Sequence, residues 1–374
     1  FNVPSKALYS SSSAVSKVIN SKNALTILNN FLFTLSGDTL TITASDMENT
    51  LTARLNVTEA QGEGRFCIDA RRMVDLLREI PDQGISFDIN EDTLAVEITC
   101  QGGRYSLIAQ NGLEYPSSTD KAEADQMLSF SIDADKVIKG IDNTLFAVST
   151  DELRPQMMGI LWDIKPDGIT FVATDTHKLV RYASTSIEPG IEGSFILPVK
   201  PANIIKNVLG KDDSIDITFT PKGATFSTET YTFNCRFIKG NFPDYNRVIP
   251  KNNPSTLTID RQMLLNAVRR VGVFVESANG LIKFKVTSEK VIMKAQDNNT
   301  CTLATEELSA DYQGNDLVIG FSAPYLLEIC NTITTSDIIV KLADPSRPGV
   351  FVPSDTNEDG DLLILLMPMN VTEF

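Results

Sequence analysis

Phe1-Asn2-Val3-Pro4-Ser5-Lys6-Ala7-Leu8 decides the fold, because its hydrophobic opening returns at Phe130-Ser131-Ile132 and again at Leu257-Thr258-Ile259. Each opening reads as a short strand. Five places beyond its third member stands an apolar residue, Leu8, Val137 or Leu264, where an amphipathic helix begins to bury a face. The copies recur at intervals of about 128 residues, which makes an internal repeat the first fact about the chain. A strand running into a helix recurs in the middle of each copy, at Phe66 to Leu77, Phe195 to Val208 and Val318 to Ile329. An aromatic residue or Met precedes Pro near each end, at Tyr115-Pro116, Phe242-Pro243 and Met367-Pro368. Between the helices, Leu40-Thr41-Ile42-Thr43-Ala44, Ile215-Asp216-Ile217-Thr218-Phe219 and Leu281 to Val286 alternate with the period of half-buried strands. The chain is therefore expected to be α+β, three tandem copies of two helices packed on antiparallel sheets. The expected copies are residues 1–125, 126–252 and 253–374, with Pro-bearing polar joins at Tyr115 to Asp125 and Ile249 to Ser255.

Length and composition set the outer limits. A chain of 374 residues holds two or three ordinary cores. Its longest apolar run, Leu362 to Met367, is too short to cross a bilayer, and Phe1 to Leu8 lacks the pattern of a secretory signal. No membrane partner is expected, and the cytoplasm is the expected compartment. Cys67, Cys100, Cys235, Cys301 and Cys330 are scattered through apolar segments and read as reduced core thiols. A single His and no Cys-x-x-Cys leave no structural zinc site.

A net charge of -15 opposes a nucleic-acid partner if charge is spread evenly. It is not. The first expected helix, Ser5 to Asn20, carries Lys6 and Lys17 with no acid, and Lys22 follows it. Pro198 to Gly210 carries Lys200 and Lys206, again without an acid. Arg71, Arg72 and Arg78 outweigh Asp75 and Glu79 on the second helix, and Arg261, Arg269 and Arg270 fall on the fifth. The third and sixth helices do not share the bias. Acids collect in strands and turns, as at Glu358 to Asp361. A basic helical face on an acidic body suits a protein that receives polyanion on one surface and repels it elsewhere; solvated helix surfaces would give the same bias. With no aromatic interleaving, recognition helix or zinc finger, contact would be to phosphates and independent of base sequence.

Three strings stand out: Ala173-Thr174-Asp175-Thr176-His177-Lys178-Leu179, Gly240-Asn241-Phe242-Pro243-Asp244-Tyr245-Asn246-Arg247-Val248, and Met367-Pro368-Met369. Together with the repeat, and in order over the whole chain, they resemble the bacterial β sliding clamps, the processivity subunits of replicative DNA polymerases. The resemblance implies that each copy is a DNA-clamp unit. It also implies that two protomers join head to tail in a ring with helices inside and sheets outside, which fits the charge distribution. The implied partners are a second copy of the chain, double-stranded DNA, the replicative polymerase, an ATP-driven clamp loader and other proteins bearing short linear motifs. The implied location is the cytoplasm, with the nucleoid.

The same resemblance places a partner-peptide pocket on Met157, Thr174, Thr176, His177, Lys178, Leu179, Pro243, Arg247, Val248, Ser322, Tyr325, Leu366, Met367, Pro368 and Met369. Met and Leu there supply an adaptable apolar floor, and His177 and Arg247 supply polar holds. Four positions depart from the family pattern: Thr176 stands where Gly is usual, Lys178 where Arg is common, Met157 where Leu is common, and Ser322 where Asn is frequent. The chain also continues past Met-Pro-Met through Asn370-Val371-Thr372-Glu373-Phe374, which makes Phe374 a candidate occupant of a neighbouring molecule's pocket. Lys22 and Lys200 match DNA-contacting positions, and charge adds Arg71 and Arg72. The ring seam falls on Arg104, Tyr105 and Leu107 of the first copy against Val273 and Phe274 of the third.

Enzymatic readings are weaker. Asp175-x-His177 with a nearby Ser imitates a hydrolase remnant, but no Gly-x-Ser-x-Gly elbow and no second His accompany it. Gly62-Glu63-Gly64 lacks the third Gly of a dinucleotide fingerprint, and there is no Gly-Lys-Ser/Thr phosphate loop. Asp355 to Gly360 copies the first half of a calcium loop, yet its twelfth position is Leu366 where a bidentate Glu is needed, so an acidic turn is expected. No cofactor, no metal and no catalytic residue are expected. The reading is a non-catalytic ring that encircles DNA and tethers a polymerase. The rival is a peptide-binding or surface-adhesion repeat protein that never meets DNA.

Overall fold

The computed structural model describes residues 1–116, 127–211, 214–276, 280–355, 360–371 and 373–374. The first copy lays down β1 (Asn2–Pro4), α1 (Ser5–Ser16), β2 (Asn30–Ser36), β3 (Thr39–Ser45), β4 (Asn49–Asn56) and β5 (Gly64–Asp69). It continues with α2 (Ala70–Glu79), β6 (Gly84–Ile89), β7 (Ala95–Cys100), β8 (Gly103–Ile108) and a two-residue β9 (Gln110–Asn111). The second repeats the order as β10 (Leu128–Asp133), α3 (Ala134–Thr144), β11 (Gly159–Lys165), β12 (Gly168–Thr174), β13 (Lys178–Ser184) and β14 (Gly193–Pro198). Then come α4 (Val199–Asn207), β15 (Ser214–Phe219), β16 (Gly223–Ser227) and β17 (Tyr231–Arg236). The third supplies β18 (Ser255–Asp260), α5 (Arg261–Val271), β19 (Leu281–Val286), β20 (Val291–Asp297), β21 (Thr302–Leu308), a short β22 (Asp311–Gln313) and β23 (Leu317–Ser322). It ends with α6 (Ala323–Thr332), β24 (Asp337–Leu342), β25 (Gly349–Pro353) and β26 (Asp361–Leu366). The expected repeat of strand, helix, strands, helix, strands is present three times.

Local chemistry explains the helices. Asp69 caps α2 by accepting the Arg72 backbone N–H at 2.7 Å, and Asp260 caps α5 by accepting that of Met263 at 2.6 Å. Ala70, Met73 and Leu77 of α2 are buried at helical spacing. α1 buries a stripe of small residues, Ser5, Ser11 and Ser12, beside Leu8 and Val15, which lets it lie close against α2. α6 carries Pro324 in its first turn, where no intrahelical N–H is lost.

The chain is compact in two units, residues 1–135 with 203–237, and residues 136–202 with 238–374, so the second copy contributes to both. Sheet pairing gives the reason. In the first unit one antiparallel sheet has the order β1-β6-β7-β8, and a nine-stranded one runs β10-β15-β16-β17-β4-β3-β2-β5-β9. The second copy's last strand joins the first copy there, with Cys235 opposite Asn49 and Tyr231 opposite Ala53. In the second unit a nine-stranded sheet runs β14-β11-β12-β13-β26-β25-β24-β18-β22, and a four-stranded one runs β21-β20-β19-β23. Here the third copy's last strand joins the second, with Lys178 opposite Leu366 and Ala183 opposite Asp361. Trp162 anchors the core of this unit, fully buried between the rings of Phe171 and Phe195.

Several expectations need correction. Cys67, Cys235 and Cys330 are core thiols, but Cys100 is half-buried and Cys301 lies exposed in the turn between β20 and β21. Arg261 does not serve a basic face: its guanidinium donates to the carbonyls of Thr335 and Cys330, at 3.1 and 3.2 Å, and so caps the end of α6. Arg270 is held by both carboxylate oxygens of Glu306 on β21, each at 2.7 Å. Of the three arginines assigned to α5, Arg269 is the one left outward without either role. The first interdomain join and the candidate calcium loop fall largely on residues 117–126 and 356–359, outside the described residues.

Candidate functional site

The expected pocket residues gather in the second unit, around the place where β13 leaves its turn and β26 ends. Asp175 builds that turn. Its Oδ1 accepts the backbone N–H groups of His177 and Lys178 at 2.9 and 2.8 Å, while Thr174 Oγ1 donates to the Lys178 carbonyl at 2.8 Å. Thr176 sits at the tip with φ 78, in the left-handed region that glycine enters without cost. The turn of the first copy is built alike: Asp46 Oδ1 accepts from Glu48 and Asn49, and Met47 has φ 79.

With the Asp175 carboxylate consumed by the turn and by Lys178, no catalytic dyad with His177 exists. The His177 ring is exposed and stacks on Tyr325 of α6, with centroids 6.1 Å apart and planes 24° from parallel. Lys178 departs from expectation. It is buried, with Nζ 3.2 Å from Asp175 Oδ2 and 2.7 Å from Glu328 Oε2, and 4.2 Å from the centroid of the Tyr325 ring. It pins the turn to the helix. Burial raises the Tyr325 phenol pKa, and the Asp175 carboxylate adds to the shift.

Register separates floor from support. Leu179 and Leu365 are cross-strand partners on one face, where they join Leu161, Val172, Ile196 and Tyr245 in an apolar cluster. Lys178 and Leu366, partners on the opposite face, are both buried. Leu366 therefore supports the site from behind. The string Phe242 to Val248 covers one flank: Phe242 packs on the cluster, Pro243 is half-buried, and Tyr245 donates its hydroxyl to Asp163 at 2.9 Å. Arg247 and Val248 stand exposed at the rim, with Arg247 Nε 2.8 Å from Asp244. Met157, half-buried, precedes β11.

The end of the chain forms the remaining wall. Met367 donates its N–H to the His177 carbonyl at 2.8 Å, and Met369 donates to the Gly320 carbonyl at 2.8 Å, so Met367, Pro368 and Met369 lie extended between the turn and the edge of β23. Ser322 and Tyr325, at the start of α6, are half-buried beside them. The result is an apolar floor, an aromatic and imidazole wall, a thioether-lined strand and one arginine at the rim. Such a surface can hold a short peptide with aliphatic or aromatic side chains.

Sequence reasoning missed Tyr245, Leu161, Val172, Ile196 and Leu365 as the floor, and Glu328 as the partner of Lys178. Tyr245 was findable, because it lies inside the Phe242 to Val248 string. The Phe374 ring lies with its centroid 5.7 Å from Lys294 Nζ of the same unit.

The other assigned residues stand elsewhere. In the first unit, Lys22 is exposed in the turn after α1, and Arg71 and Arg72 are exposed on α2. Lys200 is half-buried in the first turn of α4. Arg104, Tyr105 and Leu107 lie on β8, an edge strand, where Ile108 is 81% exposed. In the second unit Val273 is 78% exposed and Phe274 is exposed in the turn after α5. Among the described residues no group of three potential ligands could hold a metal ion, and no helix is long and apolar enough to cross a membrane.

Comparison with known proteins agrees along the whole chain. Residues 1–119, 131–244 and 246–370 match the N-terminal, central and C-terminal domains of the DNA polymerase III beta subunit. The beta sliding clamp of Pseudomonas putida is 26% identical over 99% of this chain and 100% of its own length. That of Caulobacter vibrioides is 26% identical over 96% of each. The crystal structure of the sliding clamp of Pseudomonas aeruginosa bound to griselimycin superposes with a TM-score of 0.93 at 25% identity, covering 99% of both chains.

Proposed function

The chain belongs to the DNA polymerase III beta subunit family, and from that premise we propose a head-to-tail ring of two copies that encircles duplex DNA and tethers the polymerase through the pocket beside His177. It is a sliding clamp, a non-catalytic processivity subunit.

One observation carries the ring. The strand that leaves the central turn of one copy pairs with the last strand of the next, as β4 with β17 and β13 with β26. Among the described residues one strand of each kind is left over. The third copy's equivalent, β21, ends its sheet, and the first copy's last full-length strand, β8, ends its own. An exposed edge is a pairing surface, and two protomers satisfy both leftovers by meeting head to tail, which closes a ring of six repeats. The exposed apolar side chains at these ends, Tyr105 and Ile108 on one side and Val273 and Phe274 on the other, support the same seam.

Residues 1–125, 126–252 and 253–374 are then three clamp domains. Lys22, Arg71, Arg72 and Lys200 are the proposed phosphate contacts, weak and independent of sequence so that the ring slides. Encirclement keeps a tethered polymerase at high effective concentration near the primer end, so the pocket needs only modest affinity. Leu179, His177, Tyr325, Met367 and Met369 are its proposed peptide contacts, open to polymerase, clamp loader and other motif-bearing proteins. The work belongs in the cytoplasm, on the nucleoid.

The test is mass in solution together with retention on DNA. A dimer at micromolar concentration that, once placed on DNA by a clamp loader, leaves linear DNA but stays on closed circles supports the ring. A monomer, or equal loss from both DNAs, returns the chain to the rival reading of a peptide-binding repeat protein. In the pocket, Met369→Ala with Leu179→Ala should abolish binding of polymerase peptides while the dimer persists.

A further inference from the structure

Beyond Met369 the chain turns back onto its own third copy. Val371 Cγ2 lies where it would stand 2.7 Å from a Cβ on Gly320, a residue of β23, and the Met369 carbonyl oxygen would stand 3.0 Å from the same atom. Gly320 is thus what lets the segment pass so close. Farther on, Lys283 of β19 donates from Nζ to the Glu373 carbonyl at 2.7 Å, and Lys294 of β20 lies over the Phe374 ring. Thr372 lies outside the described residues.

Lys283 and Lys294 are themselves direct cross-strand partners on the face turned away from the core. Two like charges placed opposite each other weaken a sheet unless something is placed between them. The end of the chain supplies it: one ammonium receives a carbonyl oxygen, the other an aromatic face.

We infer that Val371, set against Gly320 of β23, and Glu373 and Phe374, fastened to the lysine-bearing face of β19 and β20, act as a latch that holds Met367, Pro368 and Met369 in position as the pocket wall. The importance of that wall rests on the peptide-pocket reading above; the latch itself does not. Met369 is tied to β23 by its N–H on the Gly320 carbonyl, and the contacts after it keep that tie closed. Val371, Glu373 and Phe374 are positioning residues, since the proposed peptide does not touch them.

The test compares the full chain with a chain ending at Asn370, with Gly320→Ala, and with Phe374→Ala, Phe374→Tyr and Lys294→Arg. Amide hydrogen exchange at Met369 is read first. Loss of the latch should speed it about tenfold in the shortened chain, Gly320→Ala and Phe374→Ala, while Phe374→Tyr and Lys294→Arg should leave it slow. Affinity for a labelled peptide from the replicative polymerase is read second, and should fall about fivefold if the competent wall is populated about a fifth as often. The melting temperature should not move in the shortened chain or in Phe374→Ala, which separates positioning from general destabilisation; Gly320→Ala, whose Cβ would also stand 2.6 Å from Leu281 Cδ1 of β19, should lower it. Unchanged exchange at Met369 in the shortened chain would overturn the latch. If exchange responds while the unaltered chain binds no polymerase peptide, the latch stands and the pocket reading falls.

Discussion

Lys178 Nζ and Glu328 Oε2 stand 2.7 Å apart, yet the lysine side chain is 5% exposed and the glutamate 40%. The two ends of this pair are therefore unequal. Lys178→Met removes a buried charge; Glu328 can turn to water, and Asp175, though it loses its cation, keeps the two backbone N–H groups of its turn. Glu328→Gln leaves the ammonium buried with only Asp175 to balance it. Removing one partner of a fully buried pair costs about 3–5 kcal/mol, and the partial exposure of Glu328 brings the expected loss for Glu328→Gln down to about 2 kcal/mol. Lys178→Met should cost less. Urea unfolding of both variants and of the double variant checks the order, and a larger loss for Lys178→Met sinks the argument.

Thr176 gives a second test, because its φ of 78 is unfavourable for a β-branched residue. Thr176→Gly relieves strain worth about 1–3 kcal/mol and gives back somewhat less than 1 kcal/mol in chain entropy, for a net gain of about 1 kcal/mol. Thr176→Ala keeps the strained backbone and should gain little. Denaturant midpoints decide between them, and equal midpoints would show that the turn holds no strain.

How much of this was legible in the sequence varies with the physics involved. The three copies were visible because side-chain periodicity sets strand and helix, and Asp69 before Arg72 is a local capping signal. The sharing of sheets between copies was not, since the pairing of Asn49 with Cys235 is made by backbone groups that every residue carries. Long-range charge pairing is equally hidden: Arg270 reads as part of a basic helical face, and the Glu306 that holds it lies 36 residues further along the chain. At the candidate site the turn from Thr174 to Leu179 and the Met-Pro-Met string, both singled out from the sequence, meet where Met367 donates to the His177 carbonyl. Which side each residue faces was not legible, because it depends on the register that sets Lys178 opposite Leu366 and Leu179 opposite Leu365.

The seam makes a third prediction. Ile108 and Val273 are 81% and 78% exposed, so replacing either by Asp should change the stability of an isolated protomer by no more than about 0.5 kcal/mol. At an apolar interface the same charge goes unpaired and desolvated, and the dimer should dissociate. Sedimentation velocity of Ile108→Asp and Val273→Asp checks this. An intact dimer in both variants would move the seam away from β8 and the turn after α5.

Alkaline pH tests the floor of the pocket. The Tyr245 hydroxyl donates to Asp163 at 2.9 Å, and burial, then this bond to a carboxylate, pushes its pKa up to about 12 from an ordinary value near 10. A phenol whose pKa is raised on folding contributes stability that is fully present below pH 10 and is lost as pH rises toward 12. Burial also raises Tyr115, and likewise Cys67, Cys235 and Cys330, to about 12, so the unaltered chain should lose stability from pH 9 upward through several groups. Tyr245→Phe isolates one of them. At neutral pH the variant should be less stable by about 1–2 kcal/mol, because a hydrogen bond to a charged group is lost. Between pH 10 and 12 its stability should fall less steeply than that of the parent, so the two curves converge. Urea midpoints measured at half-unit steps from pH 8 to about 12 give both curves, and parallel curves would mean that Tyr245 ionises as freely in the folded chain as in the unfolded one.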